Sequence, residues 1–171
     1  RIPNADKVEL SYNKRESIIR GSRNKLADDI HASLIYSWIP SGVNTIFTEG
    51  AAVTAHIASA TGNRKSMTKA SVEAAQLLFD SQNIPQTGRY MLLDAYMYNQ
   101  LKNSMTNNEV VAFLAGADPE KGVIGEYAGF RFYKRGQVAK TTKAGVLKEW
   151  SAAADATDSA AGIAWQEDCV S

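Results

Sequence analysis

The sequence is poor in the residues that most often carry chemistry. Its 171 residues include one cysteine, Cys169, and two histidines, His31 and His56. A single cysteine excludes a disulfide bond within the chain, favours a cytosolic setting and is most often a small buried thiol. Thiol chemistry and disulfide-stapled folds are therefore not expected.

Long apolar runs and an excess of one charge are also absent. No segment approaches the roughly 18 apolar residues of a membrane helix, and no basic and then apolar leader opens the chain, so we expect a soluble protein with no membrane partner. The 19 Lys and Arg residues balance 18 Asp and Glu residues, so any contact with a polyanion must be local. Because the first residue is Arg1, we expect residues to be missing at the ends.

None of the sequence patterns typical of catalytic sites is complete, because each lacks either a partner residue or the required spacing. There is no Gly-x-Ser-x-Gly motif for a nucleophile, and His56 has no acidic or cysteine neighbours at metal-ligand spacing. Asp28 and Asp29 are adjacent, so on a helix they diverge by about 100° and indicate a solvated or subunit-facing edge. His31 indicates a solvated or interface histidine, and the glycines between Gly116 and Gly129 match turns and no phosphate-binding motif. We predict no enzymatic activity, no metal and no cofactor.

A long helix is the clearest element that is present. Between about Glu16 and Ile39, large apolar residues recur at spacings of seven and four, and Pro40 and Gly42 end the pattern. We name these residues the apolar stripe: Ile19, Leu26, Ile30, Leu34 and Trp38. From Arg1 to about Tyr12 the apolar residues Val8, Leu10 and Tyr12 alternate with polar ones, which predicts an extended strand, and we assign residues 1–15 to an extended segment.

The rest of the chain predicts a mixed α+β fold with one core over residues 16–171, without internal repeats. Residues 43–65 favour loops or short strands. The later predicted elements are a helix capped by Thr68 and ending near Gln82, a strand at Tyr90–Leu93, a helix capped by Asp94, a short helix at Glu109–Leu114, one or two strands within Val123–Tyr133 around Gly129, and a strand at Ile163–Trp165.

Two surface features are candidates for interaction. A basic cluster at the start of the long helix contains Lys14, Arg15, Arg20, Arg23 and Lys25. It fits a solvated face, contact with an acidic patch of a neighbouring subunit, or non-specific contact with packaged nucleic acid; no aromatic residues interleave it for base stacking. A set of tyrosines is typical either of an interface or of half-buried core positions, namely Tyr90, Tyr96, Tyr98, Tyr127 and Tyr133.

The order of these parts resembles the major capsid proteins of tailed bacteriophages, which have the Hong Kong 97-type fold. The long helix over Lys14–Ile39, after an extended basic approach, is similar to the spine helix of that family. The segments DSQNIPQTGRYMLLDAYMYNQL, IGEYAGFRFYKR and AGIAWQEDCVS are similar to its second helix with the following turn and strand, its strand pair and its late strand. The likeness covers roughly residues 8–171.

The resemblance implies an α+β capsid fold with a long spine helix, a peripheral-domain sheet and an axial-domain lobe, in which residues 1–15 are a remnant of the extended hairpin. It also implies a virion protein, assembled in the bacterial host cytoplasm, that forms the hexamers and pentamers of an icosahedral shell around DNA. Scaffolding and portal proteins and packaged DNA are the further partners. No residue matches the Lys, Asn and Glu of the family's covalent cross-link. The alternatives are a nucleic-acid-binding module that uses the basic cluster and a small hydrolase.

Overall fold

The computed structural model describes residues 13–39 and 44–169, with side chains from residue 17 to residue 168 within these ranges. The helices are α1 (Asn13–Trp38), α2 (Lys69–Ser81), α3 (Ala95–Asn103) and α4 (Asn107–Ala115), with short 3₁₀ turns at Pro119–Lys121 and Glu167–Cys169. The strands are β1 (Ala52–Thr54), β2 (Asn63–Lys65), β3 (Arg89–Asp94), β4 (Gly125–Tyr127), β5 (Phe130–Arg135), β6 (Ala139–Thr141), β7 (Leu147–Lys148), β8 (Ser159–Ala161) and β9 (Ile163–Gln166).

A four-stranded sheet in the order β4-β5-β3-β9 forms the centre of the molecule. Strand β3 pairs in parallel with β5 and antiparallel with β9, while β4 and β5 form a hairpin. The hairpin turn has positive φ at both central residues, Ala128 (50°) and Gly129 (78°), which is the type I′ geometry that matches the twist of two-residue hairpins. The predicted turn at Gly129 is thereby confirmed.

Helices α2, α3 and α4 cover one face of this sheet. Strand residues Met91, Leu93, Phe130 and Phe132 are 4% exposed or less and form one cluster with buried residues of the three helices. The helix contribution consists of Val72 and Ala75 from α2, Leu101 from α3 and Phe113 from α4. This cluster is the main core, because alternate residues of each strand point to the same face.

Helix α1 and a second sheet lie near the other face. The second sheet has the order β7-β6-β8, and Val138 and Ala139 from it pack with Ile35 of α1. Leu92 and Ile163, which pair across β3 and β9, join this smaller cluster. A separate hairpin of β1 and β2 completes the strands of the described ranges.

Most predicted elements are confirmed, including the Thr68 and Asp94 caps. The second sheet was not predicted, because its strands are two or three residues long and too short to show a period. Residues 13–15, predicted to be extended, are helical in α1, since Lys14 and Arg15 are good helix formers. The predicted extended stretch 1–12 and the helix-ending residues Pro40 and Gly42 lie outside the described residues, as does the Cys169 side chain.

Candidate interaction surface

Helix α1 contacts the rest of the molecule through one face near its C-terminal end. Ile35 is buried at 8% exposure, and Arg135 of β5 donates hydrogen bonds to the backbone oxygen of Asp28 at 3.0 Å and to its carboxylate at 3.3 Å. Residues 17–28, by contrast, are all exposed. A helix of 26 residues is about 39 Å long, so much of α1 lies beyond the small cluster around Ile35.

Most of the apolar stripe faces away from this contact. At about 100° per residue, Ile19, Leu26 and Ile30 lie roughly opposite Asp28 and Ile35 on α1. Leu34 and Trp38 turn back toward the side of Ile35, and Trp38 lines a cleft beside the main body of the molecule. The five side chains of the stripe are between 47% and 61% exposed. Scattered surface hydrophobics are ordinary, but a row on one helix face is an unpartnered apolar surface, which is typical of an interaction site. Periodicity predicted the row, and in the described parts of the chain about half of the surface of each of its side chains remains exposed.

The described members of the basic cluster lie on the exposed half of α1. Arg20, Arg23 and Lys25 have exposed side chains, while Lys14 and Arg15 have helical backbone and side chains outside the described set. Lys25 Nζ donates to Asp29 Oδ1 at 2.9 Å, and this hydrogen bond, with the attraction of the carboxylate, raises the pKa of Lys25 above its ordinary value. Asp29 contacts Lys25 and Asp28 contacts Arg135, so the two adjacent carboxylates diverge, as predicted.

The predicted tyrosines do not form one surface. Tyr90 and Tyr133 lie with Trp165 on the sheet face opposite the main core, with ring centroids 5.6–6.5 Å apart, and all three are half-buried. Tyr98 packs against Phe113 on the core side, at a centroid distance of 6.1 Å. Tyr127 donates to Glu73 at 2.7 Å, and burial together with this carboxylate raises the pKa of Tyr127 to about 12.

Tyr96 is 59% exposed and stacks on His56 at a centroid distance of 4.7 Å. His56 has an acidic partner that the sequence did not indicate. Its Nε2 lies 2.9 Å from Oδ2 of Asp94, whose Oδ1 accepts the α3 cap hydrogen bond from Met97 N at 2.7 Å. Asp94 is 38 residues away in the chain, so local spacing could not reveal the pair. The His56 side of the pair lines a cleft of about 690 Å³ between the β1–β2 hairpin, α3 and the second sheet.

A second ionic group fixes this hairpin to the second sheet. Arg64 of β2 donates to the backbone oxygens of Ala156 and Asp158 and to the Ser159 hydroxyl at 2.8–3.1 Å. Asp158, 1% exposed, accepts hydrogen bonds from Lys148 and from the Asp155 backbone, which lower the pKa of its carboxyl. These groups hold the structure together, since their hydrogen bonds are satisfied within the chain.

The described residues contain neither a cluster of metal-binding side chains nor a helix that could span a membrane. Within residues 13–39 and 44–169, no group of three or more His, Cys, Asp or Glu residues is placed to hold a metal ion. No helix in those same ranges is both long and apolar enough to cross a membrane.

The fold is a mixed α+β subunit with a row of half-exposed large apolar side chains on its long helix, a feature typical of interaction surfaces. A family model described as phage capsid protein matches residues 2–169. The chain belongs to this family of phage capsid proteins, whose members self-associate into a shell, and the virion is accordingly its location. Comparisons with curated proteins and with solved structures found no match.

Proposed function

We propose that this chain is a subunit of the icosahedral head shell of a tailed phage, with the Hong Kong 97-type fold, and that its work is geometric and involves no catalysis. In this proposal the chain forms hexamers and pentamers in the bacterial host cytoplasm. Scaffolding and portal proteins contact the forming shell, and the finished shell encloses DNA. The order of a long helix followed by an α+β core supports the fold subtype.

The observation that carries the proposal is the exposed apolar stripe of α1 in a chain of the capsid family. An isolated subunit leaves this apolar surface in water, and burial in an assembly removes that cost at about 25 cal/mol per Å². Each contact can be weak, because a closed shell forms many contacts at once and their effects combine.

Electron microscopy of the expressed full-length protein tests the proposal. We expect closed particles of uniform size, or rings of five and six subunits, together with a fast-sedimenting species in analytical ultracentrifugation. A protein that stays monomeric at high concentration, with or without co-expressed scaffolding protein, would contradict the shell function. The contacts that build the shell would then have to be sought in a different assembly.

Non-specific DNA binding by the basic cluster is the second candidate function. The observation in its favour is that Arg20, Arg23 and Lys25 are exposed within six residues of one helix. For duplex DNA, each cation that neutralises a phosphate contributes about 0.9 to the magnitude of the slope of log K against log salt concentration, and removing it reduces the slope by that amount. A triple change of these residues to Gln should therefore reduce the slope of log K against log salt concentration by up to about 2.7 in magnitude.

The matched control changes three exposed cations elsewhere, Lys121, Arg131 and Lys143, to Gln. It lowers the net charge equally, so only the position of the charges differs. Equal effects of the two triple variants would assign DNA binding to overall charge and remove the specific role of the cluster.

A further inference from the structure

We propose that the apolar stripe of α1 packs against the stripe of a second copy of this chain, with the two helices antiparallel about a two-fold axis at Ile30. The inference rests on the proposed shell function for its setting and names one contact of that shell. The occupant is a second copy because the chain belongs to a self-associating family and because the stripe, as shown next, is complementary to itself.

The spacing of the stripe favours a helix as its partner. Leu26, Ile30, Leu34 and Trp38 follow one another at intervals of four. Side chains at this interval form a continuous ridge along one helix, and ridges with this spacing are the ones most often used when helices pack together in globular proteins. The ridge spans about 18 Å, which is enough for three turns of contact.

An axis at Ile30 makes the ridge self-complementary. In the antiparallel arrangement Ile30 meets the partner's Ile30, and Leu26 meets the partner's Leu34 on each side of the axis. The bulky Trp38 then lies opposite the small Ser22, and Ser37 lies opposite Arg23. Large side chains thus meet apolar or small ones along the contact, as close packing requires.

Charge selects the antiparallel direction. A parallel pair would place Arg20 and Arg23 beside the same residues of the partner, and juxtaposed like charges are unfavourable. In the antiparallel pair the two copies of Arg23 are about 21 Å apart along the helix direction, beyond the screening length of about 8 Å at physiological salt. Asp29, next to the axis, is already paired with Lys25 of its own chain at 2.9 Å.

One such contact is small. Two helices touching over about 18 Å bury less than the roughly 800 Å² per partner of a standard stable interface. We therefore expect the pairing to be weak between free subunits and strong where a shell repeats it and holds the helices together.

A charge exchange at the axis tests the proposal. Ile30 is 50% exposed, so Ile30→Asp and Ile30→Arg should leave the fold intact, as judged by circular dichroism and thermal midpoint. Each variant alone brings two like charges together at the axis and should lower particle yield about tenfold or more. An equal mixture of the two variants places the introduced aspartate opposite the introduced arginine and should restore particle yield to within a few-fold of the unchanged protein.

Cross-linking provides a second measurement that does not depend on particles. In a Cys169→Ser background, Ile30→Cys should give covalent dimers with a short bis-maleimide. The matched control is Asn24→Cys, which is exposed on another side of α1 and about 18 Å from its counterpart along the helix, and it should give few.

The outcomes separate this inference from the proposed function. If the unchanged protein forms particles but the mixture is no better than either single variant, the two-fold pairing is wrong and the shell function stands; the stripe then binds another segment or another partner. Particles formed normally by Ile30→Asp alone would contradict the pairing outright. If the unchanged protein forms no particles, the shell function fails, and the cross-link ratio of the two cysteine variants still decides whether the stripes meet.

Discussion

At the scale of single residues, Arg89 shows how a buried charge organises this fold. The side chain is 2% exposed, and its guanidinium donates to Asp80 and to the backbone oxygens of Ile84 and Pro85 at 2.6–2.8 Å. It also lies over the ring of Phe79, 5.4 Å from the centroid. One side chain thereby connects β3 to the end of α2 and to the turn between them.

Replacing Arg89 should be costly for that reason. Arg89→Met fills similar volume but leaves two backbone oxygens and a partly buried carboxylate without their donor, so we expect the free energy of unfolding to fall by about 2–4 kcal/mol. Urea denaturation measures this loss. The control, Arg131→Met, changes an exposed arginine on the neighbouring strand and should shift stability by about 0.5 kcal/mol or less. Similar losses for both variants would show that the buried hydrogen bonds of Arg89 contribute no more to stability than an exposed arginine does.

Glu109 gives the fold a dependence on pH. A hydrogen bond from Lys69 at 2.8 Å, followed in size by those from the backbone and hydroxyl of Thr106, lowers the pKa of Glu109 from 4.5 to about 2. Since the native pKa lies below the unfolded one, the stabilisation is fully present above pH 4.5 and is lost as the pH falls through about 2.

The variant Glu109→Gln should therefore have a lower thermal midpoint than the unchanged protein at neutral pH, and the difference should shrink between about pH 5 and pH 2. Glu120→Gln, which removes an exposed carboxylate, controls for the change in net charge. A difference that stayed constant down to pH 2 would mean that the charge of Glu109 is not what stabilises the native state.

At the scale of elements, the features that depend on a few neighbouring residues were predicted correctly. The caps at Thr68 and Asp94 and the turn at Gly129 follow from single residues and short spacings, and the structure has all three. The stripe of α1 was likewise visible as a period. The sequence did not show which side of α1 packs on the core, because Ile35 is buried by residues more than 50 positions away, namely Leu92, Val138 and Ala139.

Polar contacts between residues that are far apart in the chain were also not predicted. The pairs His56 with Asp94 and Arg64 with Asp158 join residues 38 and 94 positions apart, and a single sequence carries no signal for such pairs. The family resemblance indicated the class of protein. It could not indicate that the described parts of the chain leave the stripe about half exposed, since that depends on tertiary packing.

A single substitution should increase the local helix stability of the exposed half of α1, residues 17–28. Gly21 lies in this half, and an added Cβ would meet no atom within 4 Å. Alanine is favoured over glycine inside a helix by about 1 kcal/mol, so Gly21→Ala should slow amide hydrogen exchange of residues 17–28 by about fivefold.

Gly125→Ala is the contrasting variant. There the new Cβ would collide with the ring of Phe113 in the main core, and we expect a loss of stability in urea denaturation. If Gly21→Ala left exchange in residues 17–28 unchanged, local helix stability would not limit the opening of that half.

At the scale of the whole molecule, α1 is the part whose environment should change most on assembly. Residues 17–28 are exposed and few tertiary contacts oppose their local opening, which is the step that limits proteolysis of a helix. The trypsin sites Arg20, Arg23 and Lys25 all lie there. Arg64 and Arg89, by contrast, are held by hydrogen bonds in the body of the fold.

Limited trypsin digestion followed by mass spectrometry should therefore cut free subunits first after these three residues, well before any cut at Arg64 or Arg89. In assembled particles we expect the same three cuts to slow by about tenfold or more, because pairing of α1 opposes its local opening. Particles of the Ile30→Asp and Ile30→Arg mixture should show similar protection. Cleavage of α1 at equal rates in subunits and particles would mean that assembly leaves the helix as exposed as it is in one copy, and the apolar stripe would then have no partner in the shell.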